Sequence, residues 1–167
     1  LRSQARINAG DLLLIKARQA EDDETRQALL DEVQALVDDL RVVEEGTGPL
    51  NLLEGKLLLA QGQTAEALNL LVRADSQFNQ SNPEAIRYVA LASQQLGQWG
   101  NARRQIERLL ELGRGNANLL LSLAEAMIRA RDLDEAEADL DRVTEAAPDN
   151  PRLAVLRARR AMARGDA

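Results

Sequence analysis

The sequence contains no cysteine and no histidine. Disulfide scaffolds, thiolate zinc sites and thiol nucleophiles are therefore excluded. The commonest general base and the commonest imidazole ligand are missing as well. Redox compartment stays open, because a chain without cysteine suits cytosol and periplasm equally. Aromatic residues make up only 2%, so the 45% apolar content is almost all Leu, Ala, Val and Ile. No apolar stretch approaches the roughly 18 residues that a membrane-spanning helix needs. Period-two alternation of β-branched and aromatic residues is absent, which argues against strands. With four prolines and ten glycines among 167 residues, the chain is not loop-rich or collagenous. The glycines stand singly, so no phosphate-cradling loop is present. No Asp-x-Asp-x-Asp-Gly calcium loop occurs either.

What remains is a helix-forming alphabet of Leu, Ala, Glu, Arg and Gln. The expectation is an all-α chain, long enough for one domain with a real core. The net charge of -6 is unevenly spread: residues 1–50 hold six basic and eleven acidic residues, residues 151–167 five arginines and one Asp. A nucleic-acid binder presents a basic domain or stripe, and an acidic chain with one basic end fits that poorly. Arg152, Arg157, Arg159, Arg160 and Arg164 read as a solvated helix face, or as partners of acidic residues on a neighbouring repeat absent from this chain.

A repeat is present. Gly62, Gly97, Arg131 and Gly165 are spaced by 35, 34 and 34 residues in similar phrases, and Asn82, Asn116 and Asn150 keep a 34-residue beat. Asn82 and Asn150 precede Pro, as an N-cap precedes Pro at the first helical position. Each repeat reads as two helices around a turn. The spacing of apolar residues predicts Leu50–Gln61 with Thr64–Gln77, Pro83–Leu96 with Trp99–Leu112, Leu119–Ala130 with Leu133–Ala146, and a lone first helix over Pro151–Arg164. Asp132 is expected to cap its helix with Glu135 in a capping box. Small residues recur where helices must approach: Gly55, Ala90, Ala124 and Ala158 in one slot of the first helices, Ala67, Ala102 and Ala136 in one slot of the second. Leu71, Ile106 and Leu140 follow four positions later. Residues 1–47 are less regular. A helix over Leu1–Gln19, with Gly10 a weak spot, precedes a long one over Glu24–Glu45, capped by Asp22 or Asp23. Its apolar face is Leu29, Leu30, Val33, Leu36, Val37, Leu40 and Val43. This region reads as an elongated hairpin of the same stack or as the end of a different helical domain.

A 34-residue two-helix unit with Gly at the turn, small residues at these two slots and Pro near the junction resembles the tetratricopeptide repeat. The resemblance covers residues 48–167. It departs in its aromatics: Ile86 and Leu120 stand where the family has Trp, Ser93 and Met127 where it has Tyr. Trp99 occupies the aromatic slot after the turn. The resemblance implies a right-handed α-α superhelix, a solenoid of antiparallel hairpins over residues 1–167, divided as 1–47, 48–82, 83–116, 117–150 and 151–167. It further implies a non-catalytic scaffold binding a peptide or partner helix on a concave face lined by the first helices. Carried over, the contact positions are Lys56, Arg87, Leu91, Gln94, Asn118, Leu121, Ser122, Glu125 and Arg159, together with Leu52, Leu59 and Val155, and with Tyr88 and Arg129 at the edge. The slots with which some members clamp a C-terminal carboxylate hold Leu52, Lys56, Tyr88, Asn118 and Ser122, which argues against chaperone-tail binding.

The densest acidic group, Asp132, Asp134, Glu135, Glu137, Asp139 and Asp141, reads either as a calcium or acidic patch or, far more simply, as a solvated outer helix face. Asn79-Gln80-Ser81 matches a glycosylation acceptor, a pattern too common to weigh. No cofactor or metal is expected, and no enzyme. The partner is expected to be a protein or peptide, not nucleic acid or membrane, and the compartment cytoplasm or periplasm. Arginine outnumbers lysine nineteen to two, which suits a GC-rich bacterial genome. Two alternatives stand beside the scaffold. One is a helical appendage of a larger enzyme or of polysaccharide-export or pilus machinery, as the resemblance allows. The other is weak self-association through Leu153, Leu156 and Met162, left bare on the last helix. The chain starts with Leu1 rather than Met and stops at Gly165-Asp166-Ala167, so both ends read as cut from a longer protein.

Overall fold

The computed structural model describes residues 2–114 and 116–165. Leu1, Gly115, Asp166 and Ala167 lie outside that description. The described residues form nine α-helices and no strand: α1 Arg2–Gln19, α2 Asp23–Glu44, α3 Gly48–Ala60, α4 Thr64–Gln77, α5 Pro83–Gln95, α6 Trp99–Glu111, α7 Ala117–Ala130, α8 Leu133–Ala146 and α9 Pro151–Arg164. The expected helix pairs are all present, with ends shifted by one or two residues. The chain divides into two compact units, Leu1–Ala92 and Ser93–Ala167.

In the first unit α1 packs on α2 and on α3, and α3 packs on α4. One apolar cluster joins Ile7, Leu14 and Ala17 of α1, Leu30, Val33, Val37 and Leu40 of α2, and Leu50, Leu53 and Leu57 of α3. A second joins Leu52, Ala67, Leu71, Ala74, Ala85, Val89 and Ala92. Each fully buried leucine removes enough apolar surface from water to contribute about 1.5–3 kcal/mol. Two glycines are fixed by these packings. A Cβ on Gly55 would lie 2.7 Å from Leu71 Cγ, so the α3/α4 hairpin closes only over a bare backbone. Gly10 is no weak spot: α1 runs through it, and a Cβ there would meet Leu53 Cδ2 at 2.9 Å, so the glycine lets α3 approach. Asp22 is the cap of α2, its Oδ1 accepting from Thr25 N at 2.7 Å. Val43 departs from expectation. It is 70% exposed, because Leu40 is the last residue of α2 in the core.

The second unit repeats the same layering, with α6 on α7, α7 on α8, and α9 on both α7 and α8. Ala102, Ala124 and Ala136 are fully buried in their small-residue slots, and Ile106 and Leu140 are buried beside them. The substitutes in the aromatic slots also go inward: Met127 is buried, and so is Ser93, whose Oγ accepts from Asn101 Nδ2 at 2.7 Å. Asn116 and Asn150 cap α7 and α9, accepting from Asn118 N and Arg152 N at 3.0 Å each. Asp132 precedes α8 but makes no side-chain cap. Its carboxylate accepts the indole N–H of Trp99 instead, and the expected capping box does not form.

Two expectations about α9 are corrected. Leu153 and Leu156 are only 5% and 2% exposed, because they face α8 and α7; Met162 alone of the three is bare, at 68%. The five arginines do not wait for an absent repeat. Arg157 pairs with Asp141 at 2.6 Å, Arg160 with Glu137 at 2.9 Å and Arg164 with Asp134 at 3.5 Å. Arg152 and Arg159 both reach Glu125. The basic end of the sequence and its acidic cluster are partners within one unit.

Candidate interaction surface

The expected contact positions divide between exposed, half-buried and buried places on the first helices, and each unit builds its own polar centre there. In the first unit, Lys56 of α3 is drawn inward. Its side chain is 5% exposed, and Nζ lies 2.8 Å from Asp11 Oδ1 and 2.6 Å from Glu84 Oε1. The ammonium also sits 5.2 Å from the centre of the Tyr88 ring, within cation–π range. Burial alone would lower the Lys56 pKa, but the hydrogen bonds and charge of Asp11 and Glu84 outweigh it, and the pKa is raised. A cleft of about 240 Å³ opens beside this triad, lined by Asn8, Asp11, Leu52, Phe78 and Glu84 among others. Arg87 and Leu91 are exposed on α5, and Tyr88 is half-buried. Leu52, at 6% exposure, belongs to the core, and Leu59 is half-buried.

In the second unit, Glu125 of α7 accepts from two arginines of α9: Arg152 Nη2 at 3.2 Å and Arg159 Nη1 at 2.9 Å. All three stay in contact with water, their side chains 28%, 44% and 54% exposed. Together with Pro151, Val155 and Leu156 they line a cleft of about 310 Å³. Asn118, Ser122 and Arg129 are exposed on α7, and Gln94 is half-buried. Leu121 is corrected: it is fully buried in the core, because α7 is apolar on more than one side where it packs against α6, α8 and α9. Val155 is half exposed.

Asp139 overturns the reading of the acidic cluster as a wholly solvated face. It is fully buried, and Arg103 Nε of α6 donates to its Oδ1 at 2.9 Å. Burial raises its pKa, against the opposing pull of Arg103. Arg103 also pairs with Glu135 at 2.9 Å. These carboxylates are engaged by arginines, and no group able to hold a metal ion occurs among the described residues.

Sequence reasoning missed Asp11, Glu84, Arg152 and Arg103 as partners. The repeat register did contain a signal for two of them. Lys56 and Glu125 each lie six residues before their turn, and Glu84 and Arg152 each lie thirteen before the next. The two pairs span 28 and 27 residues and are one slot pair with its charges exchanged.

The layered helical hairpins define a helical-repeat fold. Residues 93–160 match the family model described as "Tetratricopeptide repeat", so this segment belongs to the tetratricopeptide repeats. The fold is similar to the crystal structure of a tetratricopeptide repeat protein from Parabacteroides merdae, with a TM-score of 0.63 and 20% identity. That likeness covers 95% of this chain and 61% of the other, so the chain spans less than two thirds of that protein's length. No curated protein is significantly similar in sequence. Tetratricopeptide repeats are generally protein-interaction scaffolds rather than catalysts. No helix among the described residues is long and apolar enough to cross a membrane.

Proposed function

We propose that this chain is a non-catalytic protein-interaction segment that takes a peptide or partner helix on the exposed faces of its first helices. The observation that carries this reading is the face of α7 and α9. It keeps Asn118, Ser122, Arg129, Val155 and Arg159 accessible, while Leu120, Leu121, Leu123, Ala124 and Met127 of α7 and Leu153 and Leu156 of α9 are buried. Accessible hydrogen-bonding and guanidinium groups beside an aliphatic side chain suit recognition of a peptide or a helix. The absence of His and Cys from the sequence supports a role without chemistry of the chain's own.

The test is co-purification and peptide display with the wild-type chain and with the Arg87→Glu/Arg129→Glu variant. Both arginines lie on exposed helix surface, so the variant is expected to fold. Partners captured by the wild type should be lost by the variant. Identical partner sets would remove the proposed face from consideration.

A further inference from the structure

The two polar centres share one slot pair, yet they differ in what they leave over. Lys56 has three N–H donors. Two carboxylates and the Tyr88 ring surround it, and the side chain is 5% exposed, so nothing remains for a ligand. In the second unit the ratio is inverted: one carboxylate, Glu125, stands between two guanidinium groups. Each guanidinium carries five N–H donors in a fixed fork. Arg159 uses one of them on Glu125 at 2.9 Å and is 54% exposed. Arg152 is 44% exposed and likewise reaches Glu125 through one nitrogen. A surplus positive charge and unused donors therefore line this cleft, although the whole chain carries -6. Its floor is aliphatic, with Val155 half exposed beside Pro151 and Leu156.

We propose that the cleft between α7 and α9 seats an acidic segment of a partner protein, its carboxylates on Arg152 and Arg159 and an aliphatic side chain on Val155. This rests on the protein-interaction reading above and adds the chemistry of the partner. A protein is favoured over nucleic acid for two reasons. None of the six lining residues is aromatic, so no base can stack there. The half-exposed Val155 also offers an aliphatic contact that a peptide side chain can use and a phosphate backbone cannot. Glu125 sets the selectivity: it holds both guanidiniums in place, and an incoming carboxylate competes with it for them.

The experiment is fluorescence anisotropy with the full chain and a labelled peptide of alternating glutamate and leucine. The same peptide with glutamine for glutamate and a labelled oligothymidylate serve as comparisons. The acidic peptide should bind at least about tenfold more tightly than the glutamine peptide. That advantage should shrink when salt is raised from about 50 to about 500 mM. Arg159→Glu and the milder Arg159→Ala should each abolish it, with helicity unchanged by circular dichroism. Glu125→Gln should tighten the acidic peptide by about threefold or more, because the ligand no longer displaces an internal carboxylate. Equal binding of the two peptides, lost on Val155→Asp, would overturn the acidic preference and leave the interaction face standing. No binding of either peptide would also overturn it, while the display selection judges the face separately. Tighter binding of the oligothymidylate, lost in Arg159→Ala, would overturn it in favour of nucleic acid.

Discussion

In the first unit the cation Lys56 is held between Asp11 and Glu84; in the second the anion Glu125 is held between Arg152 and Arg159. The slots are equivalent, yet one centre is closed and the other wet. Side-chain length is part of the reason. A lysine has a four-carbon stem that can be buried, and it can bury its head only because two acceptors meet it there. A glutamate is shorter, and arginines that reach it from α9 keep most of their fork in water. The closed centre holds its charges away from water, and the open one is the centre proposed for recognition. Charge reversal at one slot pair thus goes with a change from a closed centre to a wet one.

The largest expected effect tests this division. Lys56→Ala removes the only cation between two carboxylates and strips an apolar stem from a packed site. Losing one partner of a fully buried pair costs about 3–5 kcal/mol. Asp11 and Glu84 are 33% and 50% exposed and can rehydrate, so the expected cost is about 2–3 kcal/mol. Glu125→Ala removes a half-solvated group and should cost less than about 1 kcal/mol. Urea unfolding of the two variants decides the matter. Similar costs would mean that the second centre is as structural as the first.

Hairpin closure offers the next contrast. Gly55 and Ala124 share one slot, and the first unit has tightened it until no methyl group fits. Gly55→Ala forces Leu71 aside and should cost about 1–3 kcal/mol by overpacking. In the second unit the alanine is already accommodated, so Ala124→Gly should lose only about 1 kcal/mol through backbone freedom and a lost methyl contact. A neutral Gly55→Ala would show that the α3/α4 hairpin has slack.

The pattern of these slots explains what was legible in advance. Spacing of turn and cap residues marks backbone events that recur at fixed intervals, so the helix pairs were readable to within a residue or two. Partners were not, because an ion pair is set by side-chain reach across helices. Asp139 is an acidic residue set on the Ala136–Leu140–Val143 face of α8, and its helical register marked it off from Asp134 and Asp141. What the sequence did not show is its partner, Arg103 of α6, which meets the buried carboxylate. Leu121 looks identical to Val155 by slot, but α7 has neighbours on more sides than α9 has. The helix with fewer packed neighbours is more exposed at the same register.

Acidity should separate the units further. Lys56 has a raised pKa in the folded chain. Its contribution is therefore complete below the unfolded value near 10.5 and is lost as pH climbs through the higher folded value. Asp139 also titrates above its unfolded value of 3.8. Folding then favours its protonated form, so this group adds stability below that value and loses the addition as pH rises through the folded one. Lys56→Met should flatten the alkaline limb of a urea-midpoint profile, and Asp139→Asn the shallow acid window just above pH 3.8. An unchanged acid limb in Asp139→Asn would mean that Arg103 cancels the effect of burial completely.

The smallest effect concerns the turn itself. Gly62 and Arg131 close equivalent hairpins with φ of +81° and +69°, in the left-handed region that a side chain pays to enter. Gly62→Ala should therefore cost about 1 kcal/mol in the first unit. In the second, Arg131 has a compensation that alanine would lack: its guanidinium donates to the carbonyl of Ala163 on α9. Arg131→Gly relieves about 1 kcal/mol of backbone strain. It also gives up a charged hydrogen bond at an exposed position and frees the unfolded chain, together worth about the same. The net change should fall within about 0.5 kcal/mol of zero, while Arg131→Ala, which keeps the strain and loses the bond, should cost about 1 kcal/mol. A clear gain from Arg131→Gly would show that the bond to Ala163 contributes nothing. The arginine would then be an unrelieved irregularity of the second unit's repeat.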